Sequence, residues 1–202
     1  MARQREFDRE TALESALLTF WRHGYEATSV AELTAAMGIR PPSLYAAFGD
    51  KRRLFEEAVR RYQQTYGAFT TRALAEEPTG RGAIERVLRE AAAEYASAEH
   101  PRGCLVITAA VNCGPESAEV EALLRGFRQE AKAAIKRRID DDVAAGRLPA
   151  ATDTAGLATF YAATIQGMST QSRDGASYED LLAVATLAMT AWPAVDGSAT
   201  TT

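Results

Sequence analysis

The chain has 202 residues, a formal net charge of -4, 47% hydrophobic and 25% charged residues, enough for one larger domain or a small domain joined to a medium one. This balance is too apolar for a disordered chain. No apolar run reaches bilayer length, and the opening MARQREFDRE lacks the apolar core of a secretory signal, so a cytoplasmic protein without a membrane partner is expected.

Catalytic and metal chemistry find little to work with. Cys104 and Cys113 are too few for a disulfide framework and lack metal-ligand spacing. Nine residues apart, they fall on opposite sides of one helix and cannot bridge within it. His23 and His100 are the only imidazoles, and neither sits in a Glu-x-x-His or His-x-x-x-His pattern. There is no nucleophile with a nearby base motif and no glycine-rich phosphate cradle, so an enzyme, a metal and a cofactor are not expected.

Alanine-rich segments with a period near 3.6 dominate and no alternation is sustained, which places the chain in the all-α class, with about nine helices. The first is expected over 8–23, with Leu13, Ala16, Leu17, Phe20 and Trp21 on one face and Gly24 as its stop. TSVAELTAAMG opens the second, where Ser29 and Glu32 have capping-box spacing. After the turn Gly38-Ile39-Arg40, Pro41 and Pro42 suit the first positions of a short third helix ending near Gly49. Asp50 reads as the N-cap of a longer linking helix over about 51–70, and Pro78, Gly80 and Gly82 mark the clearest break. Further helices are expected at about 83–98, 103–112, 117–145, 154–172 and 178–191, before a mobile tail over 193–202. The implied organisation is a three-helix head over 1–50, the linking helix, and a larger helical domain over 71–192.

Two short helices joined by a glycine turn and braced by a first amphipathic helix make a helix-turn-helix, whose second short helix enters the major groove. Arg40, Ser43 and Leu44 then stand near base edges, Leu44 in competition with packing into the domain. Arg40 is the strongest candidate, because a guanidinium donates two bonds to guanine O6 and N7. Pro41 and Pro42 expose an apolar edge to a thymine methyl, while Tyr45 and Lys51 suit phosphate oxygens. The charge supports this placement. Residues 1–66 carry a net +1 and the remainder a net -5, and Lys51, Arg52 and Arg53 crowd the positive end of a helix dipole, where an external anion relieves their repulsion.

The pattern T-S-V-A-E-L, M-G-I-R, S-L-Y-A-A-F-G-D-K-R-R-L-F resembles the DNA-binding head of TetR/AcrR-family transcriptional regulators, over about residues 8–62. The resemblance implies base contacts from Arg40, Pro41, Ser43 and Leu44, phosphate contacts from Ser29, Tyr45 and Lys51, and a minor-groove arm from Arg3 and Arg5. Many relatives carry histidine just before the phenylalanine, where this chain has Ala47. It also implies a homodimer on a double-stranded DNA operator, paired through the last two helices. The apolar stripes Ala158, Ala162, Ile165, Met168 and Leu181, Ala185, Ala188, Trp192 suit such a four-helix interface.

Between head and interface lie Tyr62, Tyr66, Phe69, Tyr95, Leu105, Phe127, Phe160 and Tyr161. Tyr62, Phe69, Tyr95, Leu105, Phe127 and Tyr161, with Cys104 and Ile165, are the candidate lining of a pocket for a small apolar or mixed effector. Gly103-Cys104-Leu105 resembles a subset of these regulators that answer electrophiles or oxidants through a thiol, and a helix N-terminus beside Arg102 is expected to lower its pKa. The leading expectation is a ligand-released repressor. The alternatives are a helical small-molecule-binding protein or enzyme with a purely structural helix-turn-helix, and a thiol-gated regulator without a ligand.

Overall fold

A computed structural model describes residues 8–109 and 113–194; among them are nine α-helices of eight residues or more, one single-turn α-helix, two short 3-10 turns and no strand. Helix α1 (Arg9–His23) starts where the Asp8 carboxylate accepts from the Glu10 amide at 3.0 Å and stops at Gly24. In α2 (Val30–Met37) the capping box is complete: Ser29 Oγ accepts from the Glu32 amide at 3.1 Å, and the Ser29 amide donates to the Glu32 carboxylate at 2.7 Å. Gly38 then takes φ 66°, a left-handed turn that a side chain would strain. Helix α3 (Pro41–Phe48) follows with proline at its first positions, and α4 (Lys51–Gln64) begins where Asp50 accepts from the Arg53 amide at 2.8 Å. These four helices close over Phe20, Leu33, Leu44, Phe48 and Phe55, with Phe20 and Phe55 edge to face at 5.0 Å.

The linking helix does not run on to residue 70. It ends at Thr65, whose hydroxyl bonds back to the Arg61 carbonyl at 2.8 Å, and the Gly67 amide closes a tight turn onto the Tyr62 carbonyl at 2.8 Å. Helix α5 (Ala68–Glu76) starts after that turn. Helix α6 (Gly80–Ala96) begins three residues earlier than its alanine periodicity predicts, because Thr79 accepts from the Gly82 amide at 3.1 Å. Its apolar face packs against α5, α8 (Ala118–Ala144), α9 (Thr154–Arg173) and α10 (Tyr178–Ala188), which makes it the axis of the larger bundle. Helix α7 (Leu105–Thr108) starts two residues later than expected, since Gly103 has φ 77° and cannot be a helical residue. Residues 110–112 and the tail beyond Ala194 lie outside the described residues.

Two features join α1 of the head to α4 and to the segments that follow it. Trp21 is fully buried, with its ring 4.8 Å from Tyr62, 5.1 Å from Tyr66 and 4.6 Å from His100. Nearby, Arg61 of α4 donates to Glu14 at 2.5 Å and Glu10 at 2.6 Å on α1, and the Tyr66 hydroxyl donates to Glu14 at 2.7 Å.

Within the bundle, Asp142 is a buried carboxylate with both oxygens in use. It accepts from the Gly80 amide at 2.9 Å, the Arg81 amide at 3.0 Å and Arg147 Nε at 2.7 Å, capping α6 from α8. Burial raises the carboxyl pKa, but the two amides and Arg147 outweigh it and hold the pKa below the ordinary carboxylate value. A depressed folded-state pKa means stability that is present above about pH 4 and lost as pH falls through the lower folded value. Asp142→Ala is expected to cost about 3 kcal/mol at pH 7. Urea denaturation should show the gap from the parent chain narrowing as the pH falls below about 4.

Candidate nucleic-acid interface and interior cavity

The turn at Gly38 throws α3 outward so that its first residues point away from the core. Arg40 is the N-cap position, makes no side-chain cap and is exposed with Pro41 and Pro42. Ser43 is half-buried and Tyr45 is 51% exposed. Leu44 is different. It is completely buried among the helices of the head, as is nearly all of Phe48 one turn later, so it fills the packing role and offers no surface to a base. This corrects its assignment as a base contact.

Ser29 is exposed, but its hydroxyl donates to Glu32 at 2.8 Å while accepting from the Glu32 amide, so the capping box already occupies it. Lys51 Nζ lies 4.3 Å from the centroid of the Tyr25 ring. Burial there pulls its pKa below the ordinary ammonium value, against the opposing pull of Glu26 and Glu32. Arg52 is paired to Glu119 at the start of α8, which ties the basic cluster to the bundle, and Arg53 stays exposed near Asp50. Arg3 and Arg5 lie outside the described residues.

Behind the head a cavity of about 820 Å³ opens between α4, α5, α7, α8 and α9. Six of the eight residues expected to line a pocket are on its wall: Tyr62, Phe69, Tyr95, Cys104, Phe127 and Ile165. Leu105 is not; it is fully buried in the core. Tyr161 is also elsewhere, packed against Trp192 with its hydroxyl 3.4 Å from the Ala188 carbonyl oxygen. Arg128 and Arg138 at the rim escape an apolar-pattern reading. Their guanidiniums are held by the Val106 carbonyl at 2.9 Å and the Glu77 carbonyl at 2.6 Å, and the only signal in the sequence is the thinning of apolar residues midway along α8.

The thiol environment reverses the expected shift. Cys104 is 8% exposed, and burial pushes its pKa up against the pull of the Tyr62 and Tyr95 hydroxyls and the Ile107 and Val106 amides. Arg102 turns away to the carbonyls of Ser172 and Ala176, at 3.2 and 3.0 Å, because the left-handed Gly103 separates it from α7. Burial, then Glu26 and Glu121, raise the Cys113 pKa as well.

The stripes assigned to dimerisation are largely spent inside the subunit. Ala158, Met168, Leu181, Ala185, Ala188 and Trp192 are buried within the single chain, and Ala162 and Ile165 face the cavity. A helix side turned inward cannot also meet a partner. The apolar surface left exposed on α9 and α10 is Phe160, Tyr178, Val184 and Leu187, the last 69% exposed.

Two family models match the chain: bacterial regulatory proteins of the tetR family over residues 12–58, and the tetracyclin repressor-like C-terminal domain over residues 80–181. The transcriptional repressor ComR of Escherichia coli K12 is 33% identical over 192 residues, which cover 95% of this chain and 91% of ComR. BdcR, another repressor of that organism, is 33% identical over 187 residues, 92% of this chain and 89% of BdcR. A cysteine-substituted TetR-family regulator CifR, solved with 26-base-pair operator DNA, is 45% identical, with a TM-score of 0.91 over 95% of this chain and 100% of that one. The helix-turn-helix, the bundle behind it and these likenesses agree: the chain belongs to the TetR family of DNA-binding transcriptional regulators.

Proposed function

We propose that the chain is a homodimeric repressor, working in the cytoplasm, that reads a palindromic operator and is released from it by a small apolar or mixed effector. The observation that carries this reading is that residues of the cavity wall and of the helix beside it contact the head directly. Tyr62 lines the cavity and packs on Trp21 of α1. Val106 and Ile107 of α7 line it too, and the carbonyl ending that helix, at Ala109, accepts from the Tyr25 amide of the head at 3.1 Å. An effector that binds one arrangement of this wall better than another therefore biases the head, by no more than that difference in affinity.

Base reading falls to Arg40, Pro41 and Ser43, and phosphate contacts to Tyr45 and Lys51, with Ser29 able to contribute only if its capping box opens. The likeness to CifR in its operator complex supports reading this arrangement of head and bundle as the operator-competent one. Dimerisation through the outer face of α9 and α10, around Phe160, Val184 and Leu187, holds two heads about 34–36 Å apart, one turn of DNA.

Selection from random duplexes should enrich a palindrome; a folded dimer that enriches nothing would overturn this reading. Arg40→Ala should relax preference at one position per half-site by about 1–3 kcal/mol. By contrast, Lys51→Ala should weaken all sequences alike and reduce the salt slope by about one phosphate contact per head. Leu187→Glu places a charge in the proposed interface without touching the core, so light scattering should find a folded monomer with little operator affinity. Thiol gating predicts rapid labelling at Cys104. Its burial and raised pKa instead predict that a neutral aromatic disulfide reagent labels the half-buried Cys113 first and Cys104 slowly, as peptide mapping would show.

A further inference from the structure

His100 neither lines the cavity nor lies on the reading surface, yet its side chain is only 5% exposed. The ring lies face-on to Trp21 with centroids 4.6 Å apart and planes at 19°, and edge-on to Tyr66 at 5.0 Å. Its Nδ1 is 3.1 Å from the Pro101 carbonyl oxygen, and its Nε2 is 3.1 Å from Oε1 of Glu94 on α6.

Both of those oxygens are acceptors when Glu94 is ionised. A neutral imidazole carries one N–H and would turn a lone pair toward one of them; the imidazolium donates to both. Glu94 Oε1 is buried and no donor meets hydrogen-bond geometry with it, so His100 Nε2 at 3.1 Å acts on it as an ion-pair partner, and loss of the imidazolium proton removes that charge and leaves a ring lone pair facing either Glu94 or the Pro101 carbonyl. The Trp21 face is also a better neighbour for a cation than for a neutral ring.

The charged groups acting on the ring from the bundle side are Glu94 and Glu99. On the head side Trp21 and Tyr66 present no charge, and Glu14 behind Tyr66 is taken up by Arg61 and the Tyr66 hydroxyl. Burial pulls the imidazole pKa down, but Glu94, the Pro101 carbonyl and Glu99 outweigh it, and the balance lies above the ordinary value of 6.5.

We propose that His100 is a proton-operated latch: as the imidazolium it joins Glu94 of the bundle to the Trp21 face of α1, holds the operator-competent arrangement, and weakens operator binding when the proton leaves. The proposal rests on the reading of this arrangement as operator-competent. A group that holds its proton more tightly in this arrangement than when loosened contributes fully below about pH 6.5, and its contribution is lost as pH rises through the higher value.

The chain has only two histidines, so His23→Gln leaves one imidazole to observe. Nitrogen-resolved NMR of that variant should show both ring nitrogens protonated at neutral pH and a titration midpoint above 6.5, and Glu94→Gln should lower the midpoint while keeping the ring on Trp21. Between pH 6 and pH 9 the affinity of the His23→Gln protein for the selected operator should fall about five- to tenfold more than that of the His23→Gln, His100→Gln protein. A midpoint at or below 6.5 overturns the latch. A raised midpoint with identical pH dependence of operator binding in the two proteins also overturns it, leaving a static brace. Absence of operator binding at every pH, with the midpoint still raised, overturns the operator-competent reading on which the latch rests and not the charge state of the ring.

Discussion

The burial of Trp21 is the constraint on which the rest of the arrangement depends. An indole at the end of the first helix would ordinarily complete the core of a small three-helix head, yet here it also meets Tyr66 after α4 and His100 ahead of α7. Burying 150–250 Å² of aromatic surface contributes about 5 kcal/mol as an upper figure, comparable with the net stability of a small domain. The reading helices therefore have no core separable from the bundle's, and the buried residues of both form one cluster. A change of head orientation has to slide or repack that aromatic seam, which makes it a choice between a few packed arrangements and not a free swivel.

Most of the head was legible because its signals are local and redundant. The Ser29–Glu32 box, the Asp50 cap, the prolines opening α3 and the left-handed Gly38 each specify one backbone event within four residues, and all agree with the apolar spacing. What periodicity could not settle was which neighbour each apolar face meets. Leu44 sits among candidate base-reading residues in the sequence, but with Phe48 four positions on it supplies the whole inner face of an eight-residue helix, and nothing else on α3 is buried to replace it. The stripes of α9 and α10 failed for the same reason. A helix with apolar residues on two sides looks alike from either, and the subunit's own core takes the stronger stripe, leaving Leu187 and Val184 outside.

Other differences come from side chains acting at a distance in the chain. The end of α4 is made by Thr65 bonding back to Arg61 and by the Gly67 amide returning to Tyr62, neither of which breaks a hydrophobic pattern. Asp142 begins α6 from sixty residues away, so the two glycines that read as a break lie within a helix that the carboxylate caps. The thiol shift reversed because one left-handed residue, Gly103, carries Arg102 to carbonyls at the C-terminal end of α9 and just past it, and burial of Cys104 then acts without an opposing cation. The acidity of the later part of the chain has a local use too: Glu119 holds Arg52, so one of the three clustered cations is fixed before any phosphate arrives.

The early stop of α4 turns that helix into a short rigid rod with its two ends in different surroundings: Tyr62 on the cavity wall, Lys51 beside the reading surface. Eleven residues separate them, roughly 16 Å at 1.5 Å per residue. Displacing the Tyr62 end sideways by ~1 Å about the other tilts the rod by ~4°, and in the proposed dimer, with two such rods related by symmetry, the relative rotation between the heads would double. Angular gain of this kind depends on stiffness and length alone. The mechanical ratio between cavity and DNA is thus written in the distance from Asp50 to Thr65, and lengthening or shortening that segment by one residue would also rotate everything beyond it by about 100° around the helix axis.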